Sequence, residues 1–367
     1  MFKFKSKLHF WTFELLMISL LIYVCTKISF FFEPIVVFIS TLFFPVLISG
    51  FLYFIFHPVV TFLTGRRLPK GIAILIIYLI AIGLVSLFGA LVGPALSKQV
   101  TDLFSNLPEY IYEVRQFIDD LSHSKQYKWV LSQDYVSLDK IEATLLDYTS
   151  NLPTDITNSL SSVFSVVTNV TLIVVTVPFM LFYMLKDGHR LPQAISRFIP
   201  INYRTQGLTI LAETGETLST YIQGQALVCL FVGITTFIGY LIIDMPYALV
   251  LALIGAVTNI IPYVGPFIGA APAVVIALFH SPMQAIFVII VIVVVQQLDG
   301  NIISPLVIGK KLNTHPLTII IVLLVAGNIA GIMGMILAIP TYSVTKTIVL
   351  NIVKFIKIRR RSEIEEI

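Results

Sequence analysis

The chain has 367 residues, of which 57% are hydrophobic and 12% charged, where soluble globular domains carry roughly 25% charged residues. Several apolar stretches exceed the roughly 20 residues that cross a bilayer. This composition excludes a water-soluble globular domain and identifies a polytopic membrane protein, so the formal net charge of +4 matters less than where the charges lie.

Span 1 is expected over Phe10–Ile28, behind Lys3, Lys5 and Lys7. A cleaved signal peptide is the competing reading, but no small-x-small cleavage site follows and further spans come at once, so an uncleaved helix is expected. Span 2 runs over Pro34–Leu63. Arg66, Arg67 and Lys70 separate it from span 3, Gly71–Leu96.

Residues 97–158 change character. Ten acids face five bases there, leaving the segment five charges negative, and apolar residues such as Leu103, Ile111, Val114 and Phe117 recur at helical spacing. The pattern predicts amphipathic helices in a small extramembrane domain. Span 4 covers Leu160–Leu185, and residues 190–213 mix Arg190, Arg197 and Arg204 with Leu191, Ile195 and Phe198, as an interfacial helix does. Span 5 is expected over Thr217–Ile243.

Residues 246–280 and 316–350 are apolar but interrupted midway. The first is broken by Asn259, Pro262, Gly265 and Pro266, the second by Gly327, Asn328, Gly331 and Gly334. Pro removes a backbone donor and Gly weakens a helix. Irregular backbone at membrane depth is tolerated only inside protein or along a cavity. Each piece reads as a re-entrant hairpin, with a single crossing as the alternative. Span 6, Pro282–Ile308, lies between them. Asp244-Met-Pro246, His280-Ser-Pro282 and Thr314-His-Pro316 each place a polar capping candidate before an early-helix proline. Span-then-hairpin followed by span-then-hairpin from the opposite side is the logic of an inverted repeat.

Positive-inside bookkeeping sets the orientation. The clusters before span 1, after span 2, after span 4 and in the tail (Lys354, Lys357, Arg359, Arg360, Arg361) share one side when spans 1–4 each cross once. That side is cytoplasmic, both termini lie there, and the acidic domain lies outside. The expected fold is therefore all-α. It has about six full spans plus two re-entrant hairpins, or eight spans in a plain hydropathy count, with a small helical extracytoplasmic domain. Its parts are 1–96 (three spans), 97–158 (acidic domain), 159–215 (span 4 and interfacial helix), 216–350 (span, hairpin, span, hairpin) and 351–367 (tail).

Thirteen of the twenty acids lie in 97–158 or the tail, and six more sit near segment ends. Asp299, about two-thirds along span 6, is the exception. Gln296, Gln297, Asp299, Gly300, Asn301 and Ser304 sweep an arc of roughly 200° at 100° per residue, so the helix cannot face lipid there. A membrane-embedded acid costs at least about 2.5 kcal/mol on insertion scales and is a functional candidate by default. Pro305 should also free carbonyls near Asn301. A proton, cation or substrate site is one reading; a hydrogen-bonded hub locking span 6 to its neighbours is the other. Asn259 with PYVGP, and Asn328 in AGNIAG, either offer backbone groups to a ligand or form plain turns. Gln223 and Gln225 either line a pathway or tie helices together.

GxxxxGK[ST], HExxH, CxxC and GxSxG are absent, so no ATPase of its own and no enzyme is expected. Cys25 and Cys229 form neither a metal spacing nor a disulfide framework. The basic residues flank membrane segments rather than forming a nucleic-acid surface.

The motifs LKDGHR (185–190), ETLSTYIQGQ (216–225), NIIPYVGPFIGAAPAVVIAL (259–278), QQLDGNIISPLVIGKKLNTHPL (296–317) and AGNIAGIMGMILAIP (326–340) resemble the autoinducer-2 exporter-like family of bacterial permeases. The resemblance covers about the whole chain and is strongest over 176–345. It implies a plasma-membrane permease and a homo-oligomer. Members are linked to autoinducer-2 export and others to sodium/proton antiport. Two positions depart from the family pattern: Asp299 stands where Glu is frequent, and Gln223 where Arg or Lys is frequent.

The expectation is a secondary transporter of a small polar metabolite, with no cofactor beyond a coupling Na+ or H+. Its pathway residues would be Asp299, Asn301, Gln296, Gln297, Asn259, Pro262, Gly265, Pro266, Gly327, Asn328, Gly331 and Gln223. The two hairpin tips would meet near Asp299, and spans 1–4 would be scaffold or oligomer contacts. A cation/proton antiporter is the first alternative. A non-transporting scaffold whose outer domain binds a partner is the second.

Overall fold

A computed structural model describes residues 7–123, 170–307 and 314–365. All regular structure among them is helical. Among the described residues, five helices are long and apolar enough to cross a membrane: Glu33–Gly65, Lys70–Asn106, Arg204–Ile242, Pro282–Val307 and Pro316–Val353.

Helices α1 (Lys7–Lys27) and α2 (Ser29–Gly65) are followed by α3 (Lys70–His123). The sequence expects span 3 to end at Leu96, but α3 continues unbroken into the acidic segment, because the amphipathic spacing beyond 97 keeps the helical phase of the span. The rest of the acidic segment, from 124, and the first part of span 4 lie outside the described residues. Helix α4 (Val170–Asp187) packs against α2 and α3 through Val60, Ala73, Ile74, Ile77, Leu181 and Leu185.

The expected interfacial helix over 190–213 is also redrawn. Only α5 (Leu191–Ser196) is separate, and α6 begins at Arg204 and runs to Ile242. The first piece ends at Ser196, and Pro200 (ψ 143°) turns the chain into a 3-10 turn, Ile201–Tyr203, before α6. No proline occurs from Arg204 to Ile242, so the helix absorbs the start of span 5. It is the central post of the molecule. Tyr221 and Ile222 meet Phe51, Phe54 and Ile339 on one side; Val228 and Val232 meet Val295 on another.

Residues 246–280 form a helical hairpin, α7 (Ala248–Thr258) and α8 (Gly265–His280). At 1.5 Å per residue the arms are about 16 and 24 Å long, both short of a hydrocarbon core of about 30 Å. At the turn, a Cβ on Gly265 would collide with the Thr258 carbonyl, and one on Gly269 would lie 2.7 Å from the Gly255 Cα. Ala248, Leu251 and Ala252 share one core with Ala273, Ile276 and Ala277, so the arms are antiparallel. The base of the hairpin is closed: Gln284, just past its exit, donates to the carbonyls of Ile243 and Asp244 at its entrance (3.4 and 3.2 Å).

Helix α9 (Pro282–Leu298) starts on the cap foreseen from sequence, with the Ser281 hydroxyl accepting from Gln284 N (3.1 Å). It passes through a π turn, Asp299–Ile303, into α10 (Ser304–Val307). The second interrupted segment lies in α11 (Pro316–Glu365), whose helical path breaks at Ala330 and Gly331. Gly331 has φ +58°, a region costly for residues with a Cβ. The chain folds back there: a Cβ on Gly334 would collide with the Ala326 carbonyl, and Lys346 Nζ lies 3.2 Å from Thr314 Oγ1. The second segment therefore also leaves where it entered. Its outgoing arm runs beside the start of α6, where Asn351 meets Glu213 at 2.7 Å, while the first hairpin is rooted at the far end of α6. The two hairpins approach from opposite ends of that post.

Candidate functional site

The site begins with a proline. Pro305 has no N–H for the carbonyl four residues back, at Asn301. The helix widens just upstream, and the Ser304 N–H reaches the Asp299 carbonyl five residues away. Such π turns recur at functional sites inside otherwise regular helices. This one presents Asp299 half-buried, with the Ser304 hydroxyl donating to its carboxylate at 2.8 Å. Gln297 and Asn301 lie exposed beside it, paired to each other at 2.8 Å. Gln296 is half-buried. A carboxylate, a hydroxyl and two amide side chains within eight residues make an oxygen-rich surface.

The opposite wall comes from α6. Gln225, 7% exposed, donates its side-chain amide to the backbone carbonyl of Asn259 at 2.7 Å. Asn259, 3% exposed, is the C-terminal cap of α7 and the start of the first hairpin's turn. Helix α7 ends there, so the α6 side chain takes the place of a helical partner for that carbonyl. The turn is compact. Pro262 and Pro266 are half-buried, Gly265 is buried, and Tyr263 holds φ 63°. The Ile261 side chain meets Leu323 and Ala338 of α11.

The expected residues thus divide into three groups. Asp299 and Asn301 lie on the π turn with Gln296 and Gln297 just before it, while Asn259 is held separately by Gln225 of α6. Gly327, Asn328 and Gly331 lie at the fold-back of α11; Asn328 and Gly331 are exposed there, and it is the arms of that fold, rather than its tip, that meet the first hairpin at Ile261. Gln223 points elsewhere, donating to the Phe54 carbonyl of α2 (2.8 Å) and to Ser219 Oγ (2.7 Å). It ties helices together. One contact escaped the sequence reading. Gln99 of α3 carried no signal: its Oε1 accepts from the Leu249 and Val250 amides at the start of α7 (3.2 and 3.3 Å).

Known transport proteins resemble this chain along most of its length. The model of the AI-2E family transporter matches residues 20–354. YueF of Bacillus subtilis, described as a candidate transport protein, is 58% identical over 362 residues, 99% of this chain and 98% of its own. YrrI of the same organism, likewise described, is 33% identical over 348 residues, 95% and 97% of the two chains. The AI-2 transport protein TqsA of Escherichia coli is 24% identical over 334 residues, 90% of each.

Proposed function

We propose, from the premise that the chain belongs to the AI-2E transporter family, that it is a secondary transporter driven by a proton or monovalent cation at Asp299. The observation that carries the reading is the π turn. With its flanks it presents a carboxylate, a hydroxyl and two amides where α9 passes α6, the helix that also holds the turn of a hairpin too short to cross a bilayer. A structural hub would need no widened helix. A scaffold would need neither of the two fold-backs that approach from opposite ends of α6.

The cargo in this reading is a small polar metabolite, with the autoinducer-2 signal as the first to test, because a relative of similar length is named for it. The chain works in a bacterial plasma membrane with both termini cytoplasmic, as a homo-oligomer, without an organic cofactor. Coupling follows from competition. A carboxylate that accepts either H+ or a cation, and is reached from one side at a time, exchanges one for the other.

Purified protein in liposomes with an internal pH dye tests this, under imposed sodium, lithium and potassium gradients and then with autoinducer-2. Ion-dependent proton or metabolite flux that disappears in Asp299→Asn supports the reading. Equal flux in folded Asp299→Asn sinks it.

A further inference from the structure

Lys70 opens α3, and its ammonium is drawn into the structure. It donates to the carbonyl of Lys186, in the last turn of α4, at 2.6 Å and lies 3.4 Å from Nδ1 of His189. A cation on the last carbonyls of a helix also meets the negative end of its dipole. Just beyond α4 the Gly188 backbone closes on α2, so near that a Cβ there would lie 3.1 Å from Tyr53 Oη. The end of α2, the start of α3 and the end of α4 thus form one junction, over the core of Val60, Ile74 and Leu185.

Charge is lopsided at this junction. Arg66, Arg67, Lys70, Lys186 and Arg190 meet one acid, Asp187, and that carboxylate pairs with Arg190 at 3.4 Å. Arg66 and Lys186 are exposed, each over a ring of its own helix. The Arg66 guanidinium lies 4.6 Å from the Phe62 centroid, and the Lys186 ammonium 5.6 Å from that of Phe182. Cations and aromatic rings combine in this way where hydrocarbon gives way to headgroups. Deeper along the same helices, Leu75, Leu79, Phe179 and Tyr183 are exposed.

We infer that this junction is a binding site for an anionic phospholipid. Its phosphodiester is held between Arg66 and Lys186, and its acyl chains lie along the exposed apolar flank of the three helices. Basic pockets between membrane helices take such headgroups. Lys70 is committed to α4 and acts as the strut that sets the spacing of the two ligands. A free phosphate would use the cations but not the apolar flank; a lipid uses both. The site is independent of the transport reading and stands whether or not Asp299 carries an ion.

The test uses the full chain and phosphatidylglycerol as the probe. Binding is read by native mass spectrometry, and the melting temperature is measured in phosphatidylcholine nanodiscs with and without phosphatidylglycerol. The parent is expected to retain phosphatidylglycerol in preference to phosphatidylcholine and to melt higher in its presence. Arg66→Gln with Lys186→Gln should weaken that binding about thirtyfold, the attraction of two basic residues near a membrane surface, and lose the melting shift. Arg66→Lys with Lys186→Arg should keep both. Arg197→Gln with Arg204→Gln removes the same charge from exposed positions that follow α5 and open α6, and should bind like the parent. Equal losses in the two glutamine pairs would reduce the effect to general charge and overturn the inference. So would a parent without preference for phosphatidylglycerol, or equally tight binding of glycerol phosphate, which lacks acyl chains. Unchanged lipid binding with an altered oligomeric state in Arg66→Gln with Lys186→Gln would overturn it as well, and would give this face to a second copy of the chain.

Discussion

Lys346 Nζ stands 3.2 Å from Thr314 Oγ1, across 32 residues of chain. A straight helix of that length would part the two by about 48 Å. Cysteines placed at Thr314 and Lys346, with Cys25 and Cys229 replaced by serine, should therefore cross-link with a short bifunctional reagent in native membranes. A single transmembrane crossing of 316–350 predicts no cross-link at all.

Asp299→Asn should leave expression and thermal stability near the parent and abolish coupled flux, while Asp299→Glu keeps part of it. Ser304→Ala removes one hydrogen bond to a carboxylate, worth about 1.5–3 kcal/mol, and should weaken cation affinity without ending transport. Because protons and cations compete for one carboxylate, the KM for the cation should rise as pH falls. A KM independent of pH would argue that the two ions bind elsewhere.

Gly265→Ala drives a methyl group into the Thr258 carbonyl. Overpacking of this kind costs about 1–3 kcal/mol, and the melting temperature in detergent should drop. Gly300→Ala, on the open side of the π turn with nothing near its Cβ, is the matched control; it should melt at or slightly above the parent temperature, since alanine is favoured in helices by about 1 kcal/mol.

Gln99→Leu takes the acceptor from the first amides of α7. Losing a helix cap costs about 1 kcal/mol. Hydrogen exchange should quicken at Leu249 and Val250 and stay unchanged in α9. Equal exchange at both places would mean that the contact contributes little.

Gln223→Leu should lower stability by about 1 kcal/mol, from the lost hydrogen bond to the Phe54 carbonyl, and leave the ion preference of flux untouched. A changed ion preference would bring Gln223 back into the pathway.

Much of this was legible in the residues. The breakers at Asn259–Pro266 and Gly327–Gly331 marked the two fold-backs, because few residue types survive such turns. Asp299 stood out because an acid inside an apolar run has few innocent explanations. Pro305 signalled the disturbed helix, though not its form as a π turn. What escaped was partnership across sequence. Gln223 and Gln225 read alike as polar residues on span 5, and only packing sends one to α2 and the other to Asn259. Helices α3 and α6 outrun the expected spans 3 and 5 for a different reason. Hydropathy ends where water begins, whereas a helix ends only where its hydrogen bonding fails, and at Leu96 and Thr217 those boundaries do not coincide.

The unbroken α3 makes one more point. Its 54 residues give a rod about 80 Å long, and the 17 residues beyond Asn106 extend about 25 Å past the apolar stretch. Gln99 and Asn106, which donates to Tyr247 Oη at 2.8 Å, clasp this rod to the root of the first hairpin. A long helix held near its middle is a lever. A small tilt of the hairpin at the clasp becomes a larger sweep at His123, and a load hung on that outer end would be felt at the root of the hairpin.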